Sequence, residues 1–119
     1  MDATAIEDLF RPVGPVRLKR MFGGYGIYRR DAMIALEFDG MVWLKADAQS
    51  RDLFEQAGSR AFTYEKKAGG VTVMSFWLLP EICHDDDDAM KHWVDLAQEA
   101  AQRAAAPKPT RQAKSRRKP

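Results

Sequence analysis

The sequence predicts an α+β fold of order α-β(3)-α-β(2)-α, an antiparallel-rich sheet covered by helices. Three observations carry that expectation. Apolar residues recur at helical spacing near the start and again over residues 85–106, and at a spacing of two between them. Asp39-Gly40 stands between two alternating runs, where a tight hairpin turn belongs. Gly58 and Pro80 fall where a helix and a strand have to stop.

In chain order, residues 4–11 place Ile6, Leu9 and Phe10 on one helical stripe, and Pro12 with Gly14-Pro15 ends it. From Val16 the alternation sets Val16, Leu18 and Arg20 on one side and Arg17, Lys19 and Met21 on the other, before Phe22-Gly23-Gly24-Tyr25-Gly26-Ile27-Tyr28. Three glycines in four positions of a strand-like run predict a bulge or sharp bend, because glycine accepts angles and close approaches that other residues resist. Ile34, Leu36 and Phe38 then alternate with Ala35 and Glu37, and residues 41–45 return after the Asp39-Gly40 turn to complete a three-stranded meander. Asp47 caps a second helix over about residues 48–57, striped by Leu53, Phe54 and Ala57 and closed by Gly58. Residues 62–67 and 71–79 flank Ala68-Gly69-Gly70 as a second hairpin. Its last strand has apolar groups on both faces, as a central strand does. The longest helix, residues 85–106, carries Ala89, Trp93, Leu96, Ala97, Ala100, Ala101 and Ala104 at helical intervals.

With 119 residues, 45% of them hydrophobic and 30% charged, the chain suits one domain that buries roughly two-thirds of its unfolded surface. Cys83 is the single cysteine and has no internal partner. The amino end lacks the basic-then-apolar pattern of a secretory signal, and residues 71–79, the longest nearly apolar stretch, fall far short of the ~20 that span a bilayer. The expected location is the cytoplasm. Charge divides the chain into a domain, residues 1–106, with 13 basic against 17 acidic residues, and a tail, residues 107–119, with six cations and no acid. Those cations are Lys108, Arg111, Lys114, Arg116, Arg117 and Lys118. Three prolines and no large apolar side chain predict a disordered tail. It is read either as a solubilising terminus or as a weak, salt-sensitive contact to nucleic acid. No aromatic residue lies in it to stack on a base.

Chemical motifs are sparse. Gly24-x-Gly26 is followed by Arg29 where a dinucleotide loop needs its third glycine, and strand continues where a helix should begin. There is no P-loop and no Gly-x-Ser-x-Gly. Cys83, His84, Asp85 to Asp88 and His92 form a cluster with metal-ligand chemistry but without zinc-site spacing. Its acids are read as first-turn groups that stabilise a helix dipole, and Cys83 as a small apolar residue near the helix start. Trp43, Trp77 and Trp93 sit at apolar phases and are read as core. Arg20, Gly23, Gly24, Tyr25, Gly26, Tyr28 and Arg29, beside Arg17 and Lys19, set aromatic and basic groups around the glycine bend, a composition suited to a partner hot spot or a nucleic-acid surface. No catalytic, cofactor-binding or metal-binding residues are assigned, and a non-enzymatic protein is expected.

Several segments together carry a resemblance. Arg20-Met21-Phe22-Gly23-Gly24-Tyr25-Gly26-Ile27-Tyr28, Leu44-Lys45-Ala46-Asp47, Phe54-Glu55-x-Ala57-Gly58, Phe62-x-Tyr64 and Met74-Ser75-Phe76-Trp77-x-Leu79-Pro80 resemble the amino-terminal domain of the TfoX/Sxy family over about residues 15–105. The resemblance implies a bacterial regulator of genetic competence, without catalytic residues or cofactor, in a fold grouped with secretion-chaperone-like proteins. Full-length regulators of that family add a carboxy-terminal domain, whereas here only the basic tail follows Ala106. The expectation is a single-domain regulator that contacts the transcription machinery or a transcription factor through the glycine bend. The alternative is a nucleic-acid accessory protein acting through the tail.

Overall fold

The computed structural model describes residues 1–21, 23–65 and 69–105, with side chains at 64, 65 and 71–74 left aside. The basic tail lies outside the described residues. An amino-terminal helix, α1 (Ala3–Leu9), is capped by Asp2, whose Oδ1 accepts from Ala5 N at 2.8 Å. Four strands follow, β1 (Arg17–Met21), β2 (Gly24–Arg29), β3 (Ala32–Phe38) and β4 (Met41–Lys45), then α2 (Arg51–Gln56), β5 (Ala61–Glu65), β6 (Val71–Leu78) and α3 (Asp87–Ala105). The strands form one antiparallel sheet of order β1-β2-β3-β4-β6-β5. An antiparallel sheet with its helices on one side is the predicted α+β class.

The expected three-stranded meander has four strands. Residues 16–28, read as one bent strand, reverse completely at Gly23 (φ 79°), so that Met21 pairs with Gly24 and Arg17 with Tyr28. Alternation continues on both sides of the turn, and periodicity alone does not register the change of direction. Asp39-Gly40 does form the predicted turn: both residues are left-handed (φ 55° and 80°), the signature of a two-residue hairpin loop between Phe38 and Met41. Between β2 and β3 the chain reverses at Arg30 (φ 58°), whose carbonyl accepts from Arg17 Nη2 at 2.7 Å.

Register shows what faces the helices. Ala35 pairs with Leu44 and Glu37 with Val42, and paired residues share a face. A slip between Ile27 and Tyr28 brings Ile34 beside Ala35 on the same side, both fully buried. Ile27, Ile34, Ala35, Val42 and Leu44 therefore meet Ile6 and Phe10 of the α1 region, Phe54 of α2, Leu79, Cys83, and Met90, Val94, Ala97 and Ala101 of α3 in a single core cluster. Small residues at Ala35, Ala97 and Ala101 let α3 lie close against β3. Leu36 and Phe38 go to the opposite side. Of the predicted α2 stripe only Phe54 is buried, because the helix covers a short span and leaves Leu53 44% exposed.

Two polar ties orient α3. Arg103 donates from Nε and Nη2 to Asp47 at 2.7 and 3.0 Å, and this hydrogen bond holds the Asp47 carboxyl below its ordinary range. Near the helix centre, buried Gln98 donates to the carbonyl of Arg29 at 3.3 Å. Asp86 Oδ1 accepts from Ala89 N at 3.0 Å, with Asp87 and Asp88 in the first turn. The acidic run thus caps α3, as its sequence position predicts. Among the described residues no helix is long and apolar enough to cross a membrane.

Candidate functional site

The turn between β1 and β2 lies next to the turn between β3 and β4, because β2 pairs with β3. The two turns and the start of the chain enclose an open cleft of about 580 Å³, lined among others by Arg20, Gly23, Gly24, Tyr25, Glu37 and Asp39. Each side chain is placed by pairing. Arg20 opposes Tyr25 across β1 and β2, and Tyr25 opposes Glu37 across β2 and β3, so all three project on the helix side of the sheet.

Glycine is demanded here for two different reasons. Gly23 supplies a left-handed turn in open space, whereas a Cβ on Gly24 would stand 1.9 Å from the carbonyl oxygen of Glu37. Gly26 is crowded instead by the flexible end of Met21, whose Cε would be 2.8 Å from an added Cβ. The two strands thus approach closely at Gly24 and draw the turns together.

Glu37 is 4% exposed, and its Oε2 accepts from the Met1 amino group at 3.2 Å and from Gly40 N at 2.9 Å. That carboxylate is committed to holding the chain start and the Asp39-Gly40 turn. The Arg20 guanidinium lies 5.7 Å from the Tyr25 ring centroid. Stacking on a ring orients the planar fork and leaves its N–H groups free for a carboxylate. The cleft thus holds one arginine beside a half-buried ring and open backbone turns, with the carboxylates of Asp2, Glu37 and Asp39 along its walls.

The structure brings Arg20, Gly23, Gly24 and Tyr25 together, with Gly26 next to Tyr25 on β2 but outside the cleft lining, and separates the other two predicted residues. Tyr28 lies on the opposite face of the sheet, with Arg17 5.3 Å from its ring centroid. Arg29 turns toward α3, where Nη1 donates to Asp95 Oδ1 at 3.3 Å and to Gln98 Oε1 at 3.4 Å. The tail residues Lys108, Arg111, Lys114, Arg116, Arg117 and Lys118 lie outside the described residues. Sequence reasoning passed over Glu37 and Asp39 as members of the site. A lone carboxylate in an apolar strand, placed to reach the backbone of the following Asp-Gly turn, is the signal that marks Glu37.

Cys83 is 4% exposed, and burial pushes its thiol up to about 12, with nearby Asp86 adding to the effect. A thiol of that kind is neutral and shielded at physiological pH.

The TfoX N-terminal domain model matches residues 8–101. A curated relative, the DNA transformation protein TfoX1 of Aliivibrio fischeri (strain ATCC 700601 / ES114), is 32% identical over 66 residues, which cover 56% of this chain. The chain spans about a third of the length of that relative, 32%.

Proposed function

The chain belongs to the TfoX N-terminal domain family, and on that premise we propose that it is a non-enzymatic regulatory module of the competence type that acts by protein contacts. The supporting observation is the cleft at the two hairpin turns, where the Arg20 guanidinium lies over the Tyr25 ring. The partner is a component of the transcription machinery or a transcription factor, recognised through an acidic side chain that enters beside Arg20. The name of the curated relative, a DNA transformation protein, favours competence as the regulated process.

The test is a competence-gene reporter in a transformable bacterium lacking its own TfoX-family regulator, expressing this chain or its Arg20→Glu, Tyr25→Ala variant at matched folded levels. Activation by the parent chain and its loss in the variant is the expected result. A variant that activates as well as the parent refutes the cleft as the contact surface. Absence of activation by the parent refutes the competence role.

A further inference from the structure

The side of the sheet turned away from the core cluster has no helix over it among the described residues. Pairing sets Arg17 with Tyr28, Lys19 with Gly26, Leu36 with Trp43, Trp43 with Leu78 and Lys45 with Phe76 on that side. Rings and cations are coupled across it. Besides Arg17 at Tyr28, Lys45 lies 5.2 Å from the Phe76 centroid and Arg60 5.6 Å from that of Trp43. Phe62 meets Trp43 and Phe38 edge-on at 4.9 and 5.9 Å, and Phe38 is 42% exposed.

Among the strand residues whose side chains are described, pairing puts no carboxylate on this side. Fifteen of the seventeen lie in helices, turns and loops, and Glu37 faces the helices. A cationic face thus sits on a body, residues 1–106, with more acids than bases. Trp43 adds a second sign. It is 6% exposed, and its indole N–H meets no acceptor among the described residues, an unusual state for a buried donor.

We propose that this face binds single-stranded nucleic acid, with phosphates on Arg17, Lys19, Lys45 and Arg60 and bases against Tyr28, Phe38 and Phe62. Cations neutralise a phosphate backbone, and exposed rings stack on bases of any identity, the combination by which single strands are held without sequence preference. A duplex hides its base faces and leaves the rings unused. An acidic peptide matches the charge but brings no planar group for the rings. The inference is independent of the cleft, since Arg20 and Tyr25 lie on the helix side of the sheet.

The test uses the full chain and a fluorescein-labelled oligothymidine of about 15 nucleotides, read by anisotropy at low and near-physiological salt. Lys19→Glu with Arg60→Glu, both exposed, is expected to weaken binding about tenfold or more and to flatten its salt dependence. Arg51→Glu with Lys91→Glu on the helical side makes the same charge change and keeps the tail, and affinity is expected to stay within about twofold. Phe38→Ala, at an exposed position that leaves the fold intact, is expected to cost about fivefold. Equal weakening by both charge reversals, or no binding by the parent, overturns the proposal. So does duplex of equal length binding as tightly as the single strand, or displacement of the oligonucleotide by polyglutamate at equal charge concentration. A dimer in light scattering that Lys19→Glu, Arg60→Glu dissolves assigns the face to a second copy and overturns it as well.

Discussion

Toward the helices β2, β3 and β4 present Ile27, Ile34, Ala35, Val42 and Leu44 to the core; away from them the sheet presents Tyr28, Leu36, Phe38, Trp43 and Phe76. The residues the helix side gives to the core are aliphatic, with Tyr25 and Trp77 only partly buried beside them, and α3 seats closely enough to bury Val94, Ala97 and Ala101. The second set is broad and aromatic, and it covers itself. Trp43 and Phe76 are 6% and 8% exposed beneath neighbouring rings and cationic stems, without a helix above them. A strand with apolar groups on both faces therefore does not require a helix on both faces. Long cationic side chains and interlocking rings do the covering on one side.

The widest separation between the two sides should appear on truncating one aromatic from each. Phe54→Ala removes a fully buried ring that touches Trp93 and Trp77, and about 3–5 kcal/mol of unfolding free energy should be lost in urea titration. Phe38→Ala should cost less than about 1 kcal/mol, because much of that ring is already in water. If the two losses are comparable, the outer rings act as a second core.

A smaller effect separates space from backbone angle at the paired turns. Gly24→Ala forces a Cβ onto the Glu37 carbonyl and should cost about 1–3 kcal/mol, whereas Gly23→Ala meets open space and should cost about 1 kcal/mol for its left-handed φ. Thermal denaturation of both variants checks the order. A reversal would mean that the two strands separate easily.

On the helix side the pair Asp47 and Arg103 gives a finer measure. Because the folded carboxyl sits below its ordinary range, its contribution is complete above the ordinary carboxylate pKa and is lost as pH falls through the lowered folded value. Arg103→Ala should therefore cost about 0.5–1 kcal/mol at neutral pH, for a partly exposed pair, and the difference from the parent should vanish in acid. Chemical denaturation at neutral and acidic pH reads it directly. Least change of all is expected from a thiol reagent at neutral pH, which should leave folded Cys83 unmodified and react fully once urea unfolds the chain.

Much of this architecture is legible before any coordinates. The Asp39-Gly40 hairpin, the acid-capped start of α3 and the alternation of helix and sheet all follow from local chemistry, and local chemistry is what a sequence displays. The reversal at Gly23 is not legible, because alternation on either side of it reads the same whether the chain bends or turns back. Arg29 shows a second limit. It stands next to Tyr28 in sequence, but neighbours on a strand point to opposite faces, and its partner Asp95 is 66 positions away. The division of apolar residues between the two faces is hidden for a related reason. Val42, Trp43 and Leu44 are all apolar, and only their pairing with Glu37, Leu36 and Ala35 of β3 decides which of them meets a helix.

The strand order has one more consequence, at its ends. β1 lies outermost, so one row of its backbone amides and carbonyls has no neighbouring strand among the described residues, an invitation to add a strand from another molecule. Within five residues that strand carries Arg17, Lys19 and Arg20. Two copies paired through their β1 edges would bring like charges together across the new strand pair, at a cost to that association. The same cations guard that edge, discouraging a second copy from adding its own β1 as a further strand.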